Sequence, residues 1–373
     1  MNINDDEIVL NNSLKKFEIE QKKIELKSTP NYVTIGAHYG CNARCVFCLG
    51  GNYPNFSLKK YKEFFEPKIG HVLKKAVNVG FCGFGEILIQ PEINEILDYL
   101  NKTLPRQAKA FTTNGISLNE AICQKLTDGR YDVMISMHAA NAELHEKMTR
   151  TKKFNEIVNN IKRLVQLKKE KNSKISINMV FVITQENIGD LCNFIKFSKD
   201  LETDCVSANY LTMYEKDHVD MSVFWNKEKT NEILSQAEEL RDKLSFSVNL
   251  PLKFQQYPKS ENISCQDPWE FFYTEVQGSV NPCCLAGDHI GNLNDDDFET
   301  IWNSKGYKML REGIVTGNIH NWCKNCLKYD KNNVNKLMAH ITFRPETQKM
   351  LLEYIMRNNQ KYKLKEEDIG FSL

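Results

Sequence analysis

His38-Tyr39-Gly40-Cys41-Asn42-Ala43-Arg44-Cys45-Val46-Phe47-Cys48 is the stretch from which the rest of the chain is read. Its cysteines are spaced Cys-x3-Cys-x2-Cys, and Phe47 stands directly before the third. The run before it, 32–35, is β-branched and aromatic and reads as a strand. Three thiolates this close suit a cubane iron–sulfur cluster with one iron left without a protein ligand. A structural zinc site wants four protein ligands and a closed shell. No fourth Cys or His follows at zinc-finger spacing, and His38 is the one nearby candidate.

Outward from that loop the chain alternates. Strand-like runs at 77–82, 108–112, 132–137, 175–183 and 205–211 follow the one at 32–35. Helical periods fall at 57–76, 91–104, 118–126, 154–170, 187–199 and 227–244, with Pro91 at a first helical position. Six βα units imply a parallel sheet with right-handed crossovers. The fold class expected is α/β, a partial (β/α)6 TIM-like barrel, not a closed eight-stranded one. Ligands in such sheets gather at the carboxyl ends of the strands, where the cysteine loop falls. Residues 1–31 read as a charged helical extension, 32–250 as the barrel, 251–335 as a small Cys-rich domain and 336–373 as a helical tail.

Composition narrows the function. A chain of 373 residues with 26% charged and 10% aromatic residues is ordinary globular material. No apolar run approaches the roughly 20 residues of a bilayer span, and the N-terminus has no signal-peptide pattern. The expectation is a cytoplasmic protein with no membrane partner. Forty-nine basic residues face forty-eight acidic ones, which disfavours nucleic acid as a partner. Twelve Cys in such a chain are not a disulfide framework. Cys82, Cys123, Cys192 and Cys205 sit singly in apolar stretches and read as core.

The other cysteines form a second group: Cys265, then Cys283 and Cys284 after Gly278, then Cys323-Lys324-Asn325-Cys326. Four thiolates, two of them in Cys-x2-Cys, could close a tetrahedral zinc site or hold all four irons of a cubane. Spacing alone leaves both open.

The first segment resembles the signature of the radical S-adenosylmethionine (SAM) superfamily. That resemblance implies a [4Fe–4S] cluster on Cys41, Cys45 and Cys48, with SAM bound to the open iron and Phe47 beside it. One electron then cleaves SAM and yields a 5′-deoxyadenosyl radical, which abstracts hydrogen from substrate. Gly83-Phe84-Gly85-Glu86-Ile87 is similar to the family's Gly-Gly-Glu-Pro motif, with Phe84 and Ile87 departing from it. Gly85 and Glu86 are therefore expected at the cofactor's amino group. Thr112-Thr113-Asn114-Gly115 resembles the family's Thr-Asn-Gly, which brings Thr113 and Asn114 to the cofactor. Ser136 and Arg150 match positions that meet the ribose or carboxylate, and an Arg fork suits a carboxylate. His138, as a proton acceptor, and Tyr210 are the catalytic candidates from strand ends.

The Cys-x12-Gly spacing from Cys265 to Gly278, the Gly-x4-Cys step to Cys283, Gly291-Asn292, Ile301-Trp302-Asn303 and Cys323-x2-Cys326 resemble the SPASM/twitch extension of these enzymes. No Cys follows Cys326, as in the single-cluster form. The resemblance implies an auxiliary [4Fe–4S] cluster on Cys265, Cys283, Cys323 and Cys326, with Cys284 the alternative to Cys283. The expected function is an oxidoreductase-type radical SAM enzyme whose auxiliary cluster accepts an electron. Its substrate is expected to be a small molecule such as a sugar or aminocyclitol, because only forty residues precede Cys41. The alternatives are a peptide-modifying SPASM maturase and, in another class, a non-catalytic zinc or iron–sulfur binding module. A flavodoxin- or ferredoxin-type protein is the expected external electron donor.

Overall fold

The computed structural model describes residues 3–37, 40–50, 55–258, 265–283 and 288–371. Ten strands form one sheet in the order β10-β9-β8-β1-β2-β3-β4-β5-β6-β7. The first six are β1 (Tyr32–Gly36), β2 (Asn78–Cys82), β3 (Ala108–Thr113), β4 (Tyr131–Ser136), β5 (Ser176–Ile183) and β6 (Cys205–Tyr210). They pair in parallel, each with its successor in sequence. This is the expected partial barrel, in which every cofactor-facing loop leaves a strand at the same end.

Two further parallel strands extend it. β7 (Ser247–Asn249) pairs with β6, and β8 (Phe271–Thr274) returns to pair with β1 on the opposite flank. From β8 the chain turns into the antiparallel β9 (Ser279–Asn281) and β10 (Gly291–Asn292). The Cys-rich segment is thus built onto the barrel sheet beside the first cysteine loop.

The core follows from alternation. β4 and β5 bury every second residue, and the helix Phe154–Glu170 covers the sheet with Ile157, Ile161, Leu164 and Val165. The helix expected at 57–76 is interrupted. A π-turn, Tyr61–Phe65, separates Leu58–Lys60 from Glu66–Lys75. Pro67 supplies the reason, since it has no N–H to donate back and the ladder widens ahead of it.

The N-terminal helix, Ile3–Glu20, leads into a strap that the C-terminal domain holds by its carbonyls. Trp269 Nε1 donates to Lys23 O at 2.7 Å and Trp302 Nε1 to Ser28 O at 2.9 Å. Arg311, with no solvent exposure, donates to Ile24 O, Pro268 O and Trp302 O. At the other end, Met213 and Ile341 form an isolated parallel bridge, which lays the segment before the helix Pro345–Arg357 against the chain beyond β6.

Candidate active site at the carboxyl edge of the sheet

The first cysteine loop leaves β1 and is pinned by main-chain bonds from three directions. Ala37 N donates to Cys82 O at 2.7 Å, Glu86 N to Gly40 O at 2.9 Å, and Arg44 N and Val46 N to Thr149 O and Met148 O at 3.1 and 2.9 Å. The sulfurs already receive N–H groups. Ala43 N donates to Cys41 Sγ and Gly50 N to Cys48 Sγ, each at 3.4 Å, and Asn114 Nδ2 approaches Cys41 Sγ at 3.9 Å. Burial pushes the Cys45 thiol up to about 12, with Cys48 and Cys41 adding to it. Such thiols lose their protons when a metal takes them. His38 lies outside the described residues.

Around the loop, Glu86 is 1% exposed, and its carboxylate serves the scaffold. It accepts from Asn114 N at 2.6 Å and from Leu88 N at 3.0 Å, and Thr113 hydrogen-bonds to it as well. Burial pushes its carboxyl up, and these bonds oppose that shift. Gly85 has φ 109, a conformation that favours glycine. Asn114 forms an Asx turn onto Ile116 N and turns its amide to Asn42 Oδ1 at 2.7 Å. Ser136 is the half-buried last residue of β4.

Phe47 meets the His138 ring edge-on at 4.8 Å. The structure employs His138 in packing: it is fully enclosed, Nδ1 accepts from Val182 N at 3.0 Å, and burial pushes its pKa down to about 3. That leaves a neutral imidazole with no carboxylate partner. Arg150 closes the helix Ala142–Thr149 in the left-handed region and is exposed, and its guanidinium makes no hydrogen bond or ion pair among the described residues. Tyr210 also has structural work, since its hydroxyl donates to Leu252 O at 2.8 Å and its ring stacks on Phe254.

The four cysteines of the second group come together. Cys265, Cys283, Cys323 and Cys326 line one small, mostly apolar cavity with Pro268, Leu310, Ile314 and Trp322. Cys284 lies outside the described residues. Burial pushes Cys265 up to about 12 and Cys323 up to about 11, and Cys326 adds to both. Backbone N–H groups of Lys328 and Tyr329 point at Cys326 and favour its thiolate. No disulfide joins the described cysteines. No three His, Cys, Asp or Glu side chains among the described residues close to the spacing of a single ion. N–H···S bonds at Cys326 and an apolar shell around the four thiols suit an iron–sulfur cluster.

A second cavity, of about 570 Å³, lies along the carboxyl ends of the strands against the second cysteine group. It runs from Phe84, past the end of β2, and Tyr210, at the end of β6, to Cys283 and Cys326. Ala339, His340, Ile341, Thr342, Phe343 and Arg344 form one wall. Sequence reasoning missed this wall. The stretch carries no motif, and its only local signals are His340 and Arg344 flanking an apolar run.

Residues 37–197 match the model of the Radical SAM superfamily, and residues 265–327 match that of the iron–sulfur cluster-binding domain termed SPASM. The antilisterial bacteriocin subtilosin biosynthesis protein AlbA of Bacillus subtilis is 22% identical over 280 residues, 74% of this chain and 60% of its own. The chain thus spans less than two thirds of that relative. The mycofactocin maturase MftC of Mycobacterium tuberculosis is 29% identical over 319 residues, 81% of this chain and 76% of its own. Among solved structures, Streptococcus suis SuiB bound to S-adenosylmethionine superposes with a TM-score of 0.60 at 16% identity, covering 80% of this chain and 71% of that one. This likeness establishes the fold. No helix among the described residues is long and apolar enough to cross a membrane.

Proposed function

From the premise that this chain is a radical SAM superfamily enzyme with a C-terminal SPASM domain, we propose that it oxidatively modifies a peptide held between its two cysteine sites. Its cofactors are SAM, a SAM-binding [4Fe–4S] cluster and an auxiliary [4Fe–4S] cluster. When bound, they supply reductive cleavage of SAM to a hydrogen-abstracting 5′-deoxyadenosyl radical and a sink for the electron left on substrate.

The chain's own residues do the rest. Cys41, Cys45 and Cys48 hold the first cluster and leave one iron for SAM. The unengaged Arg150 guanidinium takes the SAM carboxylate. Glu86 and Thr113 keep the ends of β2 and β3 at a fixed separation, so that Asn114 and the main chain at Gly85 face the cofactor. Cys265, Cys283, Cys323 and Cys326 hold the auxiliary cluster, and their apolar shell excludes water from it.

The observation that carries this reading is the shared cavity: a single volume of about 570 Å³ touches Phe84 beside the first site and Cys283 and Cys326 of the second. The relatives named for bacteriocin biosynthesis and mycofactocin maturation support a peptide better than the sugar or aminocyclitol expected from sequence. The volume also falls in the range of small-molecule sites, which keeps dehydrogenation of an aminocyclitol as the second reading. Electron delivery by a flavodoxin- or ferredoxin-type donor is part of the proposal. The test is anaerobic incubation of the reconstituted protein with SAM, dithionite, and panels of peptides and aminocyclitols. Formation of 5′-deoxyadenosine should rise with a peptide. A rise with an aminocyclitol alone overturns the peptide reading.

A further inference from the structure

The wall 339–344 lies beyond both matched domains, yet it contributes six residues to the shared cavity. It is held on both sides of Ile341. Met213 N donates to His340 O at 2.8 Å, and Thr342 N donates back to Met213 O at 3.1 Å. His340 is wedged between Phe254 and Tyr210, ring centroids 5.5 Å from each, with its Nε2 2.8 Å from Val334 O. The wall is therefore a fixed surface, and its last residue is Arg344.

The charged groups on the cavity lining are few. Lys328 is already engaged, since its Nζ donates to both carboxylate oxygens of Asp267 at 2.9 and 2.8 Å. Glu275 accepts from Gln277. Arg344 lines the cavity, is exposed to solvent, and its guanidinium makes no hydrogen bond, ion pair or ring contact among the described residues. The buried Arg311, by contrast, spends its donors on carbonyls of the fold. A planar fork of donors left open toward a substrate cavity selects a planar two-oxygen acceptor.

We propose that Arg344 is an anion subsite of the substrate cavity and takes a carboxylate of the substrate. A monoanion balances this cation, the one unengaged cation of the lining among the described residues. A dianionic phosphate would leave a charge uncompensated on a lining that also holds Glu275. The inference rests on the reading that this cavity is the substrate site. In a peptide the carboxylate comes from an Asp or Glu side chain or from the free C-terminus, and its capture at the wall fixes which part of the chain lies between the two cysteine sites.

Calorimetry on the cluster-loaded full chain tests it with two sets of probes. The first is butyrate, a monoanion, against butyramide. The second is acetyl-Ala-Ala-Glu-Ala-Ala-amide against its Gln counterpart and against that Gln peptide with a free C-terminus. Butyrate should bind the wild type about ten-fold more tightly than butyramide. The Arg344→Gln variant should reduce that preference below about two-fold, and Arg344→Glu should remove it altogether. Arg344 provides no side-chain cap to the helix it precedes, so both variants keep that helix. Whichever peptide arm shows the same Arg344-dependent preference identifies the source of the carboxylate. Butyrate selectivity with no peptide binding leaves the subsite standing and counts against the peptide reading. Equal binding of butyrate and butyramide by wild type, or a preference that survives in Arg344→Gln, overturns the subsite.

Discussion

The Glu86 carboxylate accepts the backbone N–H of Asn114 at 2.6 Å and so ties the end of β2 to the end of β3 beneath the first cysteine loop. With Glu86 N bound to Gly40 O, one residue sets the position of the loop's entry and of the Asn114 amide together. Glu86→Gln keeps the shape but turns an NH2 toward a backbone donor. The expected cost is about 1–3 kcal/mol, since a buried N–H loses a charged acceptor. Urea unfolding and SAM affinity should both weaken, and unchanged values in the two assays would remove Glu86 from this bracing role.

Gly115 has φ +77, and a Cβ there would stand 2.8 Å from Ile157 Cγ2 and 3.2 Å from Ile135 Cγ2. Gly115→Ala combines left-handed strain with overpacking of the helix that covers the sheet, at about 1–3 kcal/mol. A lowered urea midpoint with an unchanged m-value is expected. A midpoint equal to that of the wild type would mean that this turn relaxes freely.

Two of the enclosed imidazoles, His138 and His340, make the fold acid-sensitive. Unfolded, each titrates near its ordinary 6.5; folded, burial pushes His138 down to about 3 and His340 down to about 4. Between the folded and unfolded values the unfolded chain binds a proton that the folded chain refuses. Stability is therefore full above 6.5 and falls as the pH drops toward 4. The slope is up to about 1.4 kcal/mol per pH unit for each histidine. In His340→Gln the slope between pH 6.5 and 4.5 should be shallower by about one proton, and an identical slope would show that His340 is protonated in the folded chain.

How much of this was legible in the sequence depends on signal length. The helices Phe154–Glu170 and Lys227–Leu244 match their expected limits because a long apolar period fixes both ends. β7 was missed because Ser247–Asn249 buries only Val248, and β8 because Phe271–Thr274 lies inside the Cys-rich segment and pairs with the distant β1. The structure brings Cys265, Cys283, Cys323 and Cys326, the residues picked out by their spacing, to one cavity. The orientation of single side chains was not legible. Glu86 reads as a cofactor ligand but turns inward, and His138 and Tyr210 stand at strand ends but are occupied by main-chain partners. Nothing local in residues 339–344 signals a wall, because it exists only through the tertiary bridge to Met213.

If the auxiliary site is the electron sink, removing it should separate two outcomes. Cys323→Ala with Cys326→Ala removes two of its four thiolates. The variant should still form 5′-deoxyadenosine but yield little oxidised product. Circular dichroism must first show that the fold survives, since metal binding is coupled to folding. A folded variant that still gives full product would make the auxiliary site structural.

Iron and acid-labile sulfide per chain, measured on the anaerobically reconstituted protein, test the two-cluster account most directly. The wild type should hold about eight of each. The Cys323→Ala, Cys326→Ala variant and the Cys41→Ala, Cys45→Ala, Cys48→Ala variant should each hold about four, with the losses independent. Zinc without sulfide in the wild type, or an iron count unmoved by either set of substitutions, would contradict it.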